Sequence, residues 1–189
     1  CDRRTVEGVI MAKIMKCMAG ISTVLCVLFW VMNVTFSGDI WRTLAITFTT
    51  ISYHFCMRLS VGFAYDRVMS NKADYSRAWF RVSDMENRIY RFLKVKKWKR
   101  KMPTYDPEVF SPEKHTWDEI AQAMCQSELV HETNVVLSFV PVIWTIWWGS
   151  LWVFIITSIC AAAFDMIFVI MQRYNRPRIV RLAKTDRFR

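Results

Sequence analysis

Apolar positions along this chain fall into long unbroken blocks rather than short alternating runs. Residues 17–36 hold 20 positions without a charge. Residues 43–65 hold 23 with one charge, Arg58, and residues 133–172 hold 40 with one, Asp165. A bilayer core needs about 20 apolar residues per helix, and a soluble helix keeps one polar face. The blocks predict an all-α, multi-pass membrane protein with four transmembrane helices. Helix one is expected over 13–36 and helix two over 40–65, joined by the turn Ser37-Gly38-Asp39. The longest block divides at Gly149-Ser150, giving a second hairpin over 119–172 that begins in the amphipathic stretch from Trp117. Trp144, Trp147, Trp148 and Trp152 surround that turn, as aromatics do at a membrane interface.

Between the hairpins, residues 66–118 change character. From Asn71 to Lys101, aromatic and apolar residues recur at helical spacing among charges, which suits a basic amphipathic helix on the inner leaflet. Pro103, Pro107 and Pro112 then break the chain. Residues 173–189 form a basic tail, and 1–189 reads as a single membrane-embedded domain.

Charge sets the expected orientation. Lys plus Arg is 26 against 16 Asp plus Glu, a net charge of +10. Four of the cations lie before helix one or in its first turn, one lies in the turn at 37–42, 14 lie in 58–116 and seven in 173–189; the turn at 149–150 has none. The positive-inside rule places both termini and the central segment in the cytoplasm, with the chain in the cell membrane. Little protein is left outside, which argues against an outward-facing receptor or extracellular enzyme. A hydrophobic content of 53% with 5 Gly and 5 Pro excludes disorder and collagen-like repeats. The six cysteines (Cys1, Cys17, Cys26, Cys56, Cys125 and Cys160) show no CxxC pair and no zinc spacing. They are expected as small buried hydrophobes without a disulfide framework. A lipidated Cys1 would need an outer amino terminus, which the charges oppose.

Four constellations could carry chemistry. Glu128, His131 and Glu132 lie on neighbouring parts of one helical face, about a turn before the uncharged span. Ionisable groups there are expensive if they face lipid, so they are expected to face the bundle interior or a watery cleft. A carboxylate beside an imidazole fixes its tautomer and raises its proton affinity, and such a pair can serve as general base on a hydroxyl. The plainer alternative is a solvated helix cap. Glu-x-x-His is also half of a di-iron pattern, but with three histidines (His54, His115 and His131) and no histidine box, no metal is expected.

Arg173, Arg176 and Arg178 follow helix four, where Pro177 is expected to end or kink the helix and Asn175 to take a left-handed terminal conformation. Guanidiniums suit phosphates, of lipid headgroups or of a soluble thioester cofactor; a positive-inside anchor is the bland alternative. Residues 94–101, with Lys96, Lys97 and Lys99, hold six cations in eight positions. That run reads as an anchor on anionic membrane or a phosphate-binding cleft, and its tether to apolar helices argues against nucleic acid. His54 and Arg58 share a face of helix two, and counting along both helices puts Arg58 and Asp165 at matching depth. An unpaired charge there is costly, so the two are expected to pair as a structural clamp.

Lys97-Trp98-Lys99, Glu128-Leu129-Val130-His131, Pro141 and the run from Gln172 to Arg178 come in an order and at spacings with a precedent. Over about residues 75–182 the chain resembles the glycosyl-4,4'-diaponeurosporenoate acyltransferase family of the staphyloxanthin pathway. The resemblance implies transfer of a fatty acyl group from acyl-CoA, as donor substrate, to a hydroxyl of a lipid-linked sugar, a glycolipid or carotenoid glycoside, at the cytoplasmic face. Chemistry then assigns His131 as base, oriented by Glu128 or Glu132. Asn175, Arg176 or Arg173 would stabilise the oxyanion, and Lys96–Lys101 with Arg178 would hold the donor's phosphates. Cys125 is a minor candidate for an acyl-carrying nucleophile. The competing class is a non-enzymatic small membrane protein that binds headgroups or a partner. A cleft joining His131 to the arginines separates the two.

Overall fold

The computed structural model describes residues 3–36, 38–99, 102, 108–149 and 151–186, with side chains of the first helix from Ile10 onward. Cys1, Ser37, Arg100, Lys101, Pro103, Pro107 and Ser150, which figure in the expectations above, lie outside the described residues. The described elements are α1 (Arg3–Phe36), α2 (Asp39–Met69), α3 (Asp84–Phe92), α4 (Val95–Trp98), α5 (Trp117–Leu137), α6 (Thr145–Trp148) and α7 (Leu151–Asp186). Short 3₁₀ turns occupy Ala78–Phe80, Glu108–Phe110 and Val140–Trp144, and no strand occurs among the described residues. Three described stretches are long and apolar enough to cross a membrane: Ile10–Phe36, Trp117–Trp148 and Leu151–Asp186. The 31-residue α2 has the length but is not among them.

α1 and α2 form an antiparallel hairpin. Apolar packing gives helices no reason to leave lipid, so small polar contacts hold such pairs together. Here Thr23 meets Ser52 at 2.7 Å, Cys26 meets Thr49 at 3.2 Å and the Trp30 indole donates to Thr49 at 2.9 Å. α5 and α7 form the second hairpin, with a polar interior: Glu128, Asn134, Ser138, Ser158, Asp165, Gln172 and Arg176 are all buried between small or apolar neighbours. α2 meets α5 through Tyr65–Thr133, and just past its end the Asn71 N–H donates to Gln126. At the other end Tyr53, Trp144, Trp148, Phe154 and Trp30 pack ring on ring, while Trp147 and Trp152 face outward.

The span expected to run unbroken to Trp148 is interrupted at Ser138 and Phe139 and continues as a 3₁₀ turn and α6. Pro141 is the cause: it has no N–H to give and crowds the carbonyl four residues back, that of Leu137. The freed Leu137 carbonyl accepts the Tyr53 hydroxyl at 2.8 Å. Tyr53→Phe leaves that half-buried carbonyl unpaired and is expected to destabilise the protein by about 1 kcal/mol, read as an earlier thermal unfolding in detergent.

Three further expectations are corrected. The central segment is not one helix from Asn71 to Lys101. Ser70 and Asn71 take left-handed conformations after α2, a Ser83–Glu86 capping box restarts the chain as α3, and left-handed Lys94 stops it again. α7 does not end at Pro177 but runs through it to Asp186. Asn175 stays helical, and Asn71 takes the left-handed role instead. A proline inside a helix costs roughly 3 kcal/mol; in the turn before it Arg173 and Arg176 are held by Glu86 and Glu128. Finally, Cys125 is buried, but Cys17, Cys56 and Cys160 are exposed and Cys26 is half-buried.

Candidate functional site

The α5–α7 seam carries two polar layers, one joining Glu128 of α5 to Arg173 and Arg176 of α7, the other joining His131 and Asn134 of α5 to Asp165 of α7. The lower layer is centred on Glu128, fully buried on α5. Its carboxylate accepts from Arg176 on one oxygen and from Arg173 Nη1 at 2.6 Å on the other. Arg176 also donates to the Phe80 carbonyl and lies over the Phe80 ring. Arg173 donates from Nε to Glu86 at 2.7 Å and from its two Nη atoms to the carbonyls of Trp79 and Arg81, each at 3.2 Å. Two guanidiniums thus tie α7 to α5, to the 78–81 turn and to α3. Burial pushes the Glu86 carboxyl up, but hydrogen bonds from Arg173 and the Ser83 N–H outweigh it and hold the group down at about 2. Burial and the adjoining Glu86 charge push the Tyr90 hydroxyl up to about 12.

The upper layer is centred on Asp165, 1% exposed on α7. Its Oδ2 accepts Arg58 Nη2 at 2.5 Å, and its Oδ1 lies 2.9 Å from His131 Nδ1 and 3.3 Å from Asn134 Nδ2. Arg58 also donates to the carbonyls of His54 and Ala161. The His131 ring stacks on Phe168 at 4.8 Å with its side chain 23% exposed. A carboxylate facing a guanidinium only accepts hydrogen bonds, so Nδ1 carries the proton and donates to Asp165. In the neutral imidazole the lone pair is then on Nε2, which makes no hydrogen bond among the described residues.

The Arg58–Asp165 pair is present, as depth counting expected. His131, however, is oriented by Asp165 and not by Glu128 or Glu132. Its own-helix neighbours point elsewhere: Glu128 to the arginines, and Glu132 to the Trp79 indole at 2.9 Å and toward Arg173. Arg173 and Arg176, expected to face phosphates or an oxyanion, are occupied by carboxylates and carbonyls. Asn175 accepts from Lys99, whose ammonium also lies over the Tyr174 ring. Lys96, Lys97 and Arg178 are exposed. His54 packs edge-on against Tyr53, and both its ring nitrogens are buried without a hydrogen-bond partner among the described residues. Cys125 packs with Ala73 and Phe80, closed to an acyl donor.

Two cavities are found elsewhere. One, about 420 Å³, lies along α1 between Cys26 and Thr35. The other, about 380 Å³, lies between the end of α2 and the start of α5, lined by Asn71, Lys72, His115 and Glu119. Neither is lined by His131. No group of three or more His, Cys, Asp or Glu among the described residues is placed to hold a metal ion.

The Asp165 partnership had a signal in the sequence: His131 and Asp165 lie about equally far from Gly149, so an antiparallel hairpin brings them together. Glu86 and Trp79 had none, because their roles depend on the chain between the hairpins folding back.

A family model described as glycosyl-4,4'-diaponeurosporenoate acyltransferase matches residues 76–185. The match takes in both polar layers except Arg58 and His54, which α2 supplies. No curated protein and no solved structure matches the chain.

Proposed function

The chain belongs to the glycosyl-4,4'-diaponeurosporenoate acyltransferase family, and from that membership we propose that it moves a fatty acyl group from acyl-CoA to a hydroxyl of a lipid-linked sugar, with His131 as the base. The observation that carries this reading is the orientation of His131: Nδ1 held by the buried Asp165–Arg58 pair, Nε2 unengaged. A carboxylate, an imidazole and an open lone pair are the parts a general base needs when the nucleophile is the substrate's own hydroxyl.

The acceptor O–H gives its proton to Nε2 as its oxygen attacks the thioester carbonyl. The tetrahedral intermediate collapses, the C–S bond breaks, and the departing thiolate takes the proton back from Nε2. Asp165 stabilises the imidazolium between the two steps and does not itself exchange a proton. Lys96, Lys97 and Arg178, all exposed, would meet the donor phosphates in this reading. In this reading α2 is the fourth span, and the positive-inside rule puts both termini and the basic segment in the cytoplasm, so donor and acceptor meet at that face.

A non-enzymatic membrane module is the competing reading, favoured by arginines that are internally satisfied and by cavities that do not reach His131. Purified protein in nanodiscs, supplied with palmitoyl-CoA and a glucosyl lipid, separates them. Acceptor-dependent release of free CoA thiol with formation of the acylated glycolipid supports transfer. Thiol release equal to that of empty nanodiscs supports the module.

A further inference from the structure

Outside the three apolar spans, α3 has two unlike faces. One is bound to the bundle: Tyr90 is buried against Tyr174, and Glu86 holds Arg173. The other carries Met85, Ile89 and Phe92, which are 72%, 46% and 85% exposed. Spacings of four and three put these on a single stripe. Arg88, Arg91, Lys94, Lys96 and Lys97 are all exposed beside it or just beyond it, and the exposed acid between residues 84 and 97 is Asp84. The attachment point fixes the height of the helix. α3 meets α7 at Arg173 and Tyr174, immediately after the run Leu151–Gln172, in which Asp165 is the one charge. That run spans about 33 Å at 1.5 Å per residue, the thickness of a hydrocarbon core. α3 therefore sits where hydrocarbon gives way to headgroups.

We propose that α3 is a lipid-docking helix: Met85, Ile89 and Phe92 enter the acyl boundary of an anionic leaflet, and the five cations lie on its phosphates. Charge selects this occupant. A second copy of the chain brought face to face would oppose five cations with five, whereas an anionic leaflet neutralises them while burying the apolar stripe. The inference rests on the membrane-spanning helices and not on acyl transfer, and it stands whether or not the chain is an enzyme.

The test uses the full chain in liposomes of equal parts phosphatidylcholine and phosphatidylglycerol, with p-benzoyl-phenylalanine in place of Phe92. After irradiation, mass spectrometry is expected to find lipid adducts at that position, phosphatidylglycerol exceeding phosphatidylcholine several-fold. The same probe in place of Asn87, exposed away from the stripe, is expected to give few. Combining Lys94→Gln, Lys96→Gln and Lys97→Gln should return the adduct ratio to the composition of the liposome while keeping the adducts. Crosslinks between two chains, an absence of lipid adducts at position 92, or an adduct ratio equal to composition with the cations intact would each overturn the proposal.

Discussion

His131→Ala is expected to lower acyl transfer by roughly a hundred- to ten-thousand-fold, the range general base catalysis supplies, while the protein still folds. The two halves of that expectation come from different contacts. Activity is lost because no other group near the seam combines a held tautomer with an open lone pair. Folding survives because Asp165 keeps Arg58 and Asn134 after the imidazole is gone, so no buried charge is orphaned. The measurement is free CoA thiol per minute alongside thermal unfolding in the same detergent. Unchanged turnover would remove His131 from the mechanism. Asp165→Asn offers the contrast: it strips Arg58 of its counter-charge, so activity and stability should fall together.

Glu128→Gln is expected to cost more stability than any other single change considered, about 3–5 kcal/mol, as when one partner of a buried ion pair is removed. Glu128 is the shared acceptor of Arg173 and Arg176, and Arg176 has the Phe80 carbonyl as its remaining anchor. The double variant Glu128→Met with Arg176→Met removes both charges and should recover a good part of the loss, since well-packed apolar residues replace buried ion pairs at little penalty. A double-mutant cycle read by thermal unfolding gives the coupling directly. Near-additive losses would show that the arginine knot does not fix α7 against α5.

Much of this architecture was legible in residue order. The uncharged blocks marked both hairpins, Gly149 marked the turn between α6 and α7, and counting turns placed Arg58 level with Asp165. What stayed hidden shares one physical cause, the override of local preference by contacts far along the chain. Pro177 reads as a stop, yet the helix runs through it, with Arg173 and Arg176 anchored in the turn before. Those arginines read as free phosphate ligands, yet Glu86 and backbone carbonyls 92–96 residues away occupy them. Glu128 and Glu132 read as partners for His131 because they are near in sequence. Which carboxylate an imidazole meets depends on which way the ring looks, and here it looks across to α7.

The Arg58–Asp165 pair has a consequence for biogenesis. The guanidinium and its carboxylate are 107 residues apart. At about 5–20 residues per second of synthesis, a ribosome completes α2 some 5 to 20 seconds before it delivers the acid that neutralises it. During that interval the nascent first hairpin carries an unmatched cation that it can neither bury nor leave behind. Quality-control proteases would meet such a fragment at its most vulnerable, and any product truncated ahead of Asp165 remains in that condition for good.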